Sequence, residues 1–124
     1  MKKILIVDDD LDLSETIKSV LELEGYTLSI SNAPQAGIKL AKEQQPDLII
    51  MDVLLPEMNG AEVVKILKSD PVVKNIPVIF LSGLVSTDDD LQGGMQVGGK
   101  HYQILAKPFE NKRLVGLVKS ILKD

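Results

Sequence analysis

Four short apolar runs, each stopped by an acidic, hydroxyl or basic residue, constrain this chain more than any other feature. Ile4-Leu5-Ile6-Val7 ends at Asp8 and Asp9, and Leu48-Ile49-Ile50-Met51 ends at Asp52. Pro77-Val78-Ile79-Phe80-Leu81 ends at Ser82, and Tyr102-Gln103-Ile104-Leu105-Ala106 ends at Lys107, followed by Pro108. Continuous aliphatic runs of this length fit strands buried on both faces, as in a parallel sheet covered by helices. In an open parallel sheet the carboxyl ends of the strands share one edge, so the residues that stop the runs converge there. Three carboxylates, a hydroxyl and an ammonium on such an edge make a metal and phosphoryl site.

The segments between the runs have helical period, which predicts five βα units with helices on both faces of the sheet. Asp12 can cap the first helix with Glu15 reaching back, Ile17, Val20 and Leu21 form its apolar stripe, and Gly25 stops it. Thr27 to Ser31 reads as the second strand, and Pro34 opens a helix carrying Ala36, Ile38, Leu40 and Ala41. After Asp52, the loop Val53 to Gly60 ends in a turn-prone Asn-Gly and leads to a helix through Val63, Val64, Ile66 and Leu67. A fourth helix is expected over Ser86 to about Gln96, short or frayed because Gly93-Gly94 costs about 1 kcal/mol per Gly relative to Ala. A terminal helix from Glu110 to Leu122 turns Leu114, Leu117, Val118 and Ile121 inward.

At 124 residues the chain is expected to be one domain, residues 1–124, with no room for a separate output domain. Hydrophobic content of 44% with only 3% aromatic residues gives an aliphatic core. A net charge of −4 with scattered basic residues argues against direct binding to nucleic acid or an anionic membrane. The absence of cysteine removes disulfide, thiol and zinc-thiolate chemistry, and no apolar stretch approaches a membrane span, so the cytoplasm is the expected address.

Side-by-side carboxylates repel unless a cation holds them ionised. With no His or Cys among the candidates, a hard divalent ion with oxygen ligands fits, Mg²⁺ above all. Asp8 and Asp9 would hold it. Asp52, alone at its strand end, is the expected nucleophile for a phosphoryl group, with Lys107 as a point charge for a phosphoryl oxygen and Ser82 as a hydroxyl donor. Other acids have plainer readings: Asp10 and Asp12 as caps or turn residues, and Asp88-Asp89-Asp90 as the acidic first turn of a helix. His101, the only histidine, has no partner at metal-ligand spacing and reads as a surface residue.

These pieces together resemble a response-regulator receiver domain of two-component signalling. The match runs through Ile4 to Asp10, Pro46 to Asp52, Leu55-Pro56-Glu57-Met58-Asn59-Gly60, Pro77 to Gly83, and Lys107-Pro108-Phe109, in order and over the whole chain. The resemblance implies a flavodoxin-like fold with strand order 2-1-3-4-5 and phosphorylation of Asp52 by a histidine kinase or a phosphotransfer protein. It implies Mg²⁺ bound by Asp9 directly, by Asp8 mostly through water, by Asp52, and by the backbone carbonyl of Leu54. It further implies a cis bond before Pro108. The protein would be a switch and not a turnover enzyme, passing its state to an unidentified protein target through the fourth helix, fifth strand and fifth helix.

Two departures from the family pattern bear on function. Receivers usually carry an aromatic residue three positions before the lysine; here it is Ile104, with Tyr102 two residues earlier on the same strand face, so either could serve as the switch residue. The residues two after the phosphoacceptor and two after the hydroxyl, which flank the path of the attacking water, are Leu54 and Leu84, which cannot orient a water. A long-lived phosphoaspartate is expected. Competing readings are a degenerate receiver that signals without phosphate, and a phosphatase of the haloacid dehalogenase kind, which would leave Asp52 without a role.

Overall fold

The apolar runs do form strands. The structure, a computed structural model, describes residues 2–83, 95–97 and 99–123. Strands β1 (Lys3–Val7), β2 (Thr27–Ser31), β3 (Leu48–Asp52), β4 (Val78–Ser82), β5 (Met95–Val97) and β6 (Lys100–Ala106) form one sheet in the order β2-β1-β3-β4-β6-β5. All neighbours are parallel except β5, which pairs with β6 antiparallel. Without β5, this is the expected five-stranded flavodoxin-like sheet with strand order 2-1-3-4-5. Helices α1 (Leu11–Leu23), α2 (Pro34–Gln44), α3 (Gly60–Lys68) and α4 (Asn111–Leu122) complete the described elements.

Period-two alternation divides each central strand between two cores. Ile4, Ile6, Leu48, Ile50, Ile79 and Leu81 pack with Ile17 and Leu21 of α1 and with Leu114 and Val118 of α4. Leu5, Val7, Ile49, Met51, Val78 and Phe80 pack with Ala41 of α2 and with Val63, Val64 and Leu67 of α3. Each such side chain contributes about 1.5–3 kcal/mol when fully buried, and a one-residue slip of any central strand would exchange the two sets. The register that positions the site is therefore fixed by the core.

Several local expectations need correction. The N-cap of α1 is Asp10, whose side chain accepts from the Leu13 N–H at 3.1 Å; Asp12 lies inside the first turn. Ala36 is exposed, and it is its neighbour Gly37 that is buried, where a Cβ would sit 2.9 Å from a Val7 methyl. Ile66 is also exposed. The helix expected from Ser86 lies largely outside the described residues, but its proposed end does not: Met95 and Gln96 are strand, paired with Tyr102 and His101. A Gly at φ +83°, Gly99, lies in the turn that reverses the chain into β6, a conformation that costs Gly little.

Candidate functional site

The switch point of the sheet lies between β1 and β3, where successive connections leave in opposite directions, and both strands end there in carboxylates. Val7 is level with Met51, so Asp8 and Asp52 end neighbouring strands at the same height. Asp52 is level with Leu81, and Ser82 with Ala106, which brings Ser82 and Lys107 to the same edge. The backbone carries the pairing on to this edge. Asp8 N–H donates to the Ser31 carbonyl at 3.0 Å, Val53 N–H to Leu81 at 3.0 Å, and Lys107 N–H to Ser82 at 2.9 Å. The Lys107–Pro108 bond is cis.

The side chains meet there. Lys107 Nζ lies 3.1 Å from Asp8 Oδ2 and 3.3 Å from Asp52 Oδ2. Asp8 Oδ1 accepts the Asp10 N–H at 2.9 Å, and Asp52 Oδ1 accepts the Leu54 N–H at 3.3 Å. Asp8, Asp52 and Ser82 are buried, whereas Asp9 is exposed at the mouth. One oxygen from each of Asp8, Asp9 and Asp52 lies within 4.8 Å of the others.

Burial pushes the Asp8 carboxyl above its ordinary range; the Asp10 N–H opposes this, and the negative charge of Asp52 adds to it. Burial acts to lower the Lys107 ammonium, but the hydrogen bond and charge of Asp8, then those of Asp52, outweigh it and hold the group above its usual value. One ammonium thus pairs with two carboxylates, Asp8 and Asp52, of which Asp8 is fully buried, while the third, Asp9, lies beside them. An oxygen-only donor set with excess negative charge fits a hard divalent cation and no softer metal.

The loop after β3 brings Leu54 over this edge with its side chain 58% exposed. Leu84, the second aliphatic residue predicted beside the water path, lies outside the described residues, as do Asp88, Asp89 and Asp90. Tyr102 and Ile104 both pack on the α3 side of the sheet, and the Tyr102 ring stands edge-on to Phe80 at 5.6 Å. A cleft of about 350 Å³ beside the carboxylates, between α1 and the loop after β6, is lined by Asp10, Leu13, Thr16, Lys107, Pro108, Phe109 and Asn111. Sequence reasoning passed over this cleft. Its only advance signal was the apolar Phe109 beside the lysine, because lining residues from separate elements share no spacing.

The fold and this edge define a class: a doubly wound α/β domain with an acidic, lysine-clamped centre at its switch point. Within that class, the chain belongs to the response regulator receiver domain family, whose model matches residues 4–119. It is 37% identical over 123 residues to the phosphate regulon transcriptional regulatory protein PhoB of Pseudomonas aeruginosa, covering 98% of this chain and 52% of that protein. It is 33% identical over 122 residues to the DNA-binding response regulator MtrA of Mycobacterium tuberculosis, covering 98% of this chain and 51% of the relative. The chain therefore spans about half the length of these curated relatives. Chemotaxis protein CheY4 of Vibrio cholerae superposes with a TM-score of 0.84 at 26% identity, over 98% of both chains. The family matched is the receiver family, and Asp52, which the phosphatase alternative leaves idle, sits inside the acidic cluster.

Proposed function

We infer that this receiver domain is a phosphorylation-controlled switch in which Asp52 accepts a phosphoryl group from a histidine kinase or a histidine phosphotransfer protein. The observation that carries the reading is the buried Asp52 carboxylate, with an ammonium at 3.3 Å and two further carboxylates in reach. A carboxylate oxygen of Asp52 attacks phosphorus, the P–N bond to the donor imidazole breaks, and its electron pair stays on the imidazole nitrogen. Lys107 exchanges part of its pairing with Asp52 for a phosphoryl oxygen, and Ser82 donates its hydroxyl to another. Asp8, Asp9, Asp52 and the Leu54 carbonyl would hold Mg²⁺, which when bound supplies positive charge against the carboxylates and the transferred oxygens. The cleft between α1 and Phe109 gives the donor a partly apolar seat beside the acceptor.

The new charge on Asp52 then biases a pre-existing equilibrium of the segment after Ser82, of β6 and of α4, with Tyr102 or Ile104 as the residue that follows the hydroxyl. A protein target reads that face. The receiver itself makes no direct nucleic-acid or membrane contact, acts in the cytoplasm, and turns over nothing but its own phosphate. No described helix is long and apolar enough to cross a membrane.

Phosphoramidate, which carries the same P–N bond, tests this directly. With Mg²⁺ the protein should gain a hydroxylamine-labile acyl phosphate, and chelation should abolish it; a hydroxylamine-resistant phosphate would contradict an Asp acceptor. The phosphate should also be long-lived, because Leu54 offers the attacking water no hydrogen bond. Leu54→Asn should shorten its half-life about tenfold or more, read as loss of label after the phosphodonor is removed, and an unchanged half-life would remove Leu54 from the explanation.

A further inference from the structure

Away from the acidic edge, a cavity of about 300 Å³ opens between the C-terminal half of α3 and the β5–β6 hairpin. It is walled by Lys65, Lys68, Ser69, Val97, Lys100 and Tyr102, none of which belongs to the carboxylate site. A chain with a net charge of −4 thus gathers three ammonium groups around one small concavity. Among the described residues, none of the three is paired with a carboxylate.

Lys68 is built into the wall. Its Nζ donates to the Lys74 carbonyl at 2.9 Å and to the Ile76 carbonyl at 2.6 Å, which leaves one of its three donors for a ligand. It stands 5.8 Å from the centroid of the Tyr102 ring, and that ring is braced edge-on against Phe80. Lys65 and Lys100 are exposed and free to close over an anion. The Ser69 hydroxyl spends its proton on the Ile66 carbonyl at 2.8 Å, so the ammonium groups alone select the ligand's charge. Burial and the neighbouring Lys100 charge hold Lys68 below its ordinary pKa, a crowding of like charges that an anion relieves.

We propose that this pocket is a second binding site for a small phosphate-bearing anion, held by Lys65, Lys68 and Lys100 beside the Tyr102 ring. Lysine binds phosphate as a point charge, and three such charges favour a multiply charged phosphate over a monocarboxylate. The volume lies at the lower end of the roughly 300–1,000 Å³ of small-molecule sites, which suits a pyrophosphate or a nucleoside monophosphate and excludes a polymer.

The test uses the full chain treated with EDTA, titrated at constant ionic strength with inorganic pyrophosphate and, separately, with adenosine monophosphate. Backbone amide shifts and tyrosine fluorescence are followed; of the two tyrosines, Tyr26 is buried in the opposite core. Saturable shifts should centre on Lys65 to Ser69, Val97 and Lys100 to Tyr102, with Kd at or below about 1 mM. Lys65→Gln combined with Lys100→Gln should weaken binding at least tenfold, and both residues are exposed, so the fold should survive. The control pair Lys39→Gln and Lys112→Gln, also exposed, should leave binding unchanged. Equal affinity for the two probes would support a site that reads phosphate alone, and tighter binding of the nucleotide would support one that also uses the apolar wall. Shifts that do not saturate, that spread over lysines elsewhere, or that persist in the Lys65/Lys100 variant would overturn the proposal.

Discussion

Asp8 shows most clearly how one residue's environment links stability to function. Its carboxyl is fully buried, accepts one backbone N–H, and shares a single ammonium with Asp52. Its pKa in the folded protein is raised, chiefly by burial, so folding favours the protonated form. Its contribution to stability is then fully present below the unfolded-state value and is lost as pH rises through the folded-state value. At neutral pH without a divalent cation, Asp8→Asn should therefore be the more stable protein, by roughly 1 kcal/mol or more. The advantage should shrink on acidification. Saturating Mg²⁺ should reverse the order, because the wild type gains stability from the ion it binds and the variant gains less. Urea denaturation at pH 4.5 and 7.5, with EDTA or Mg²⁺, checks the sign at each corner; a variant less stable than wild type in EDTA at neutral pH would contradict the reading that burial outweighs the partners of the Asp8 carboxylate. Lys107 does not oppose this forecast, since it keeps Asp52 as a partner when Asp8 loses its charge.

At the scale of the element, the start of α3 is where packing allows least change. Asn59 caps the helix by accepting the Glu62 N–H at 2.9 Å, and its amide reaches Glu62 Oε1 at 3.2 Å. Gly60 opens the helix, its N–H bound to the Val53 carbonyl at 2.8 Å. A Cβ on Gly60 would lie 2.3 Å from the Asp52 carbonyl oxygen, a backbone atom that cannot move aside alone. Gly60→Ala should cost about 1–3 kcal/mol and slow phosphorylation by displacing the acceptor strand end. Asn59→Ala should cost only about 1 kcal/mol, the usual loss of a cap, and leave the phosphorylation rate nearly intact. Thermal melts and rates with a small phosphodonor separate the two; equal effects on the rate would mean that Gly60 acts through helix stability alone. The β5–β6 hairpin is the element that sequence reading missed. Ser86 to about Gln96 reads as a frayed helix, whereas Met95–Val97 is strand, held by antiparallel pairing with Lys100 to Tyr102 just downstream, and that pairing outweighs local propensity.

For the molecule as a whole, the legible part of the fold was the part written in local pattern. Unbroken aliphatic runs announced strands buried on both faces, and their stop residues announced the edge where Asp8, Asp52, Ser82 and Lys107 gather. Cap positions were less legible because Asp10 and Asp12 are equally good cap residues, and only the position of Leu13 N–H decides between them. Ala36 reads as part of the apolar stripe of α2, yet Gly37 is the buried neighbour, for a similar reason: small residues carry little hydrophobic signal, and the close approach of α2 to Val7 is a tertiary fact. The lysine-walled pocket was invisible in sequence, since Lys65, Lys68 and Lys100 look like solvated charges until α3 and the hairpin bring them together.

The most direct test of the central claim is the intact mass of the protein after incubation with acetyl phosphate and Mg²⁺, run beside Asp52→Asn and followed by peptide mapping. The wild type should gain the mass of one phosphate, located on the peptide containing Asp52 and lost in mild base, and the variant should gain none. A phosphate elsewhere, an adduct that persists in Asp52→Asn, or no adduct when Mg²⁺ binding has been confirmed separately would contradict Asp52 as the phosphoacceptor and leave a domain that signals through contacts alone.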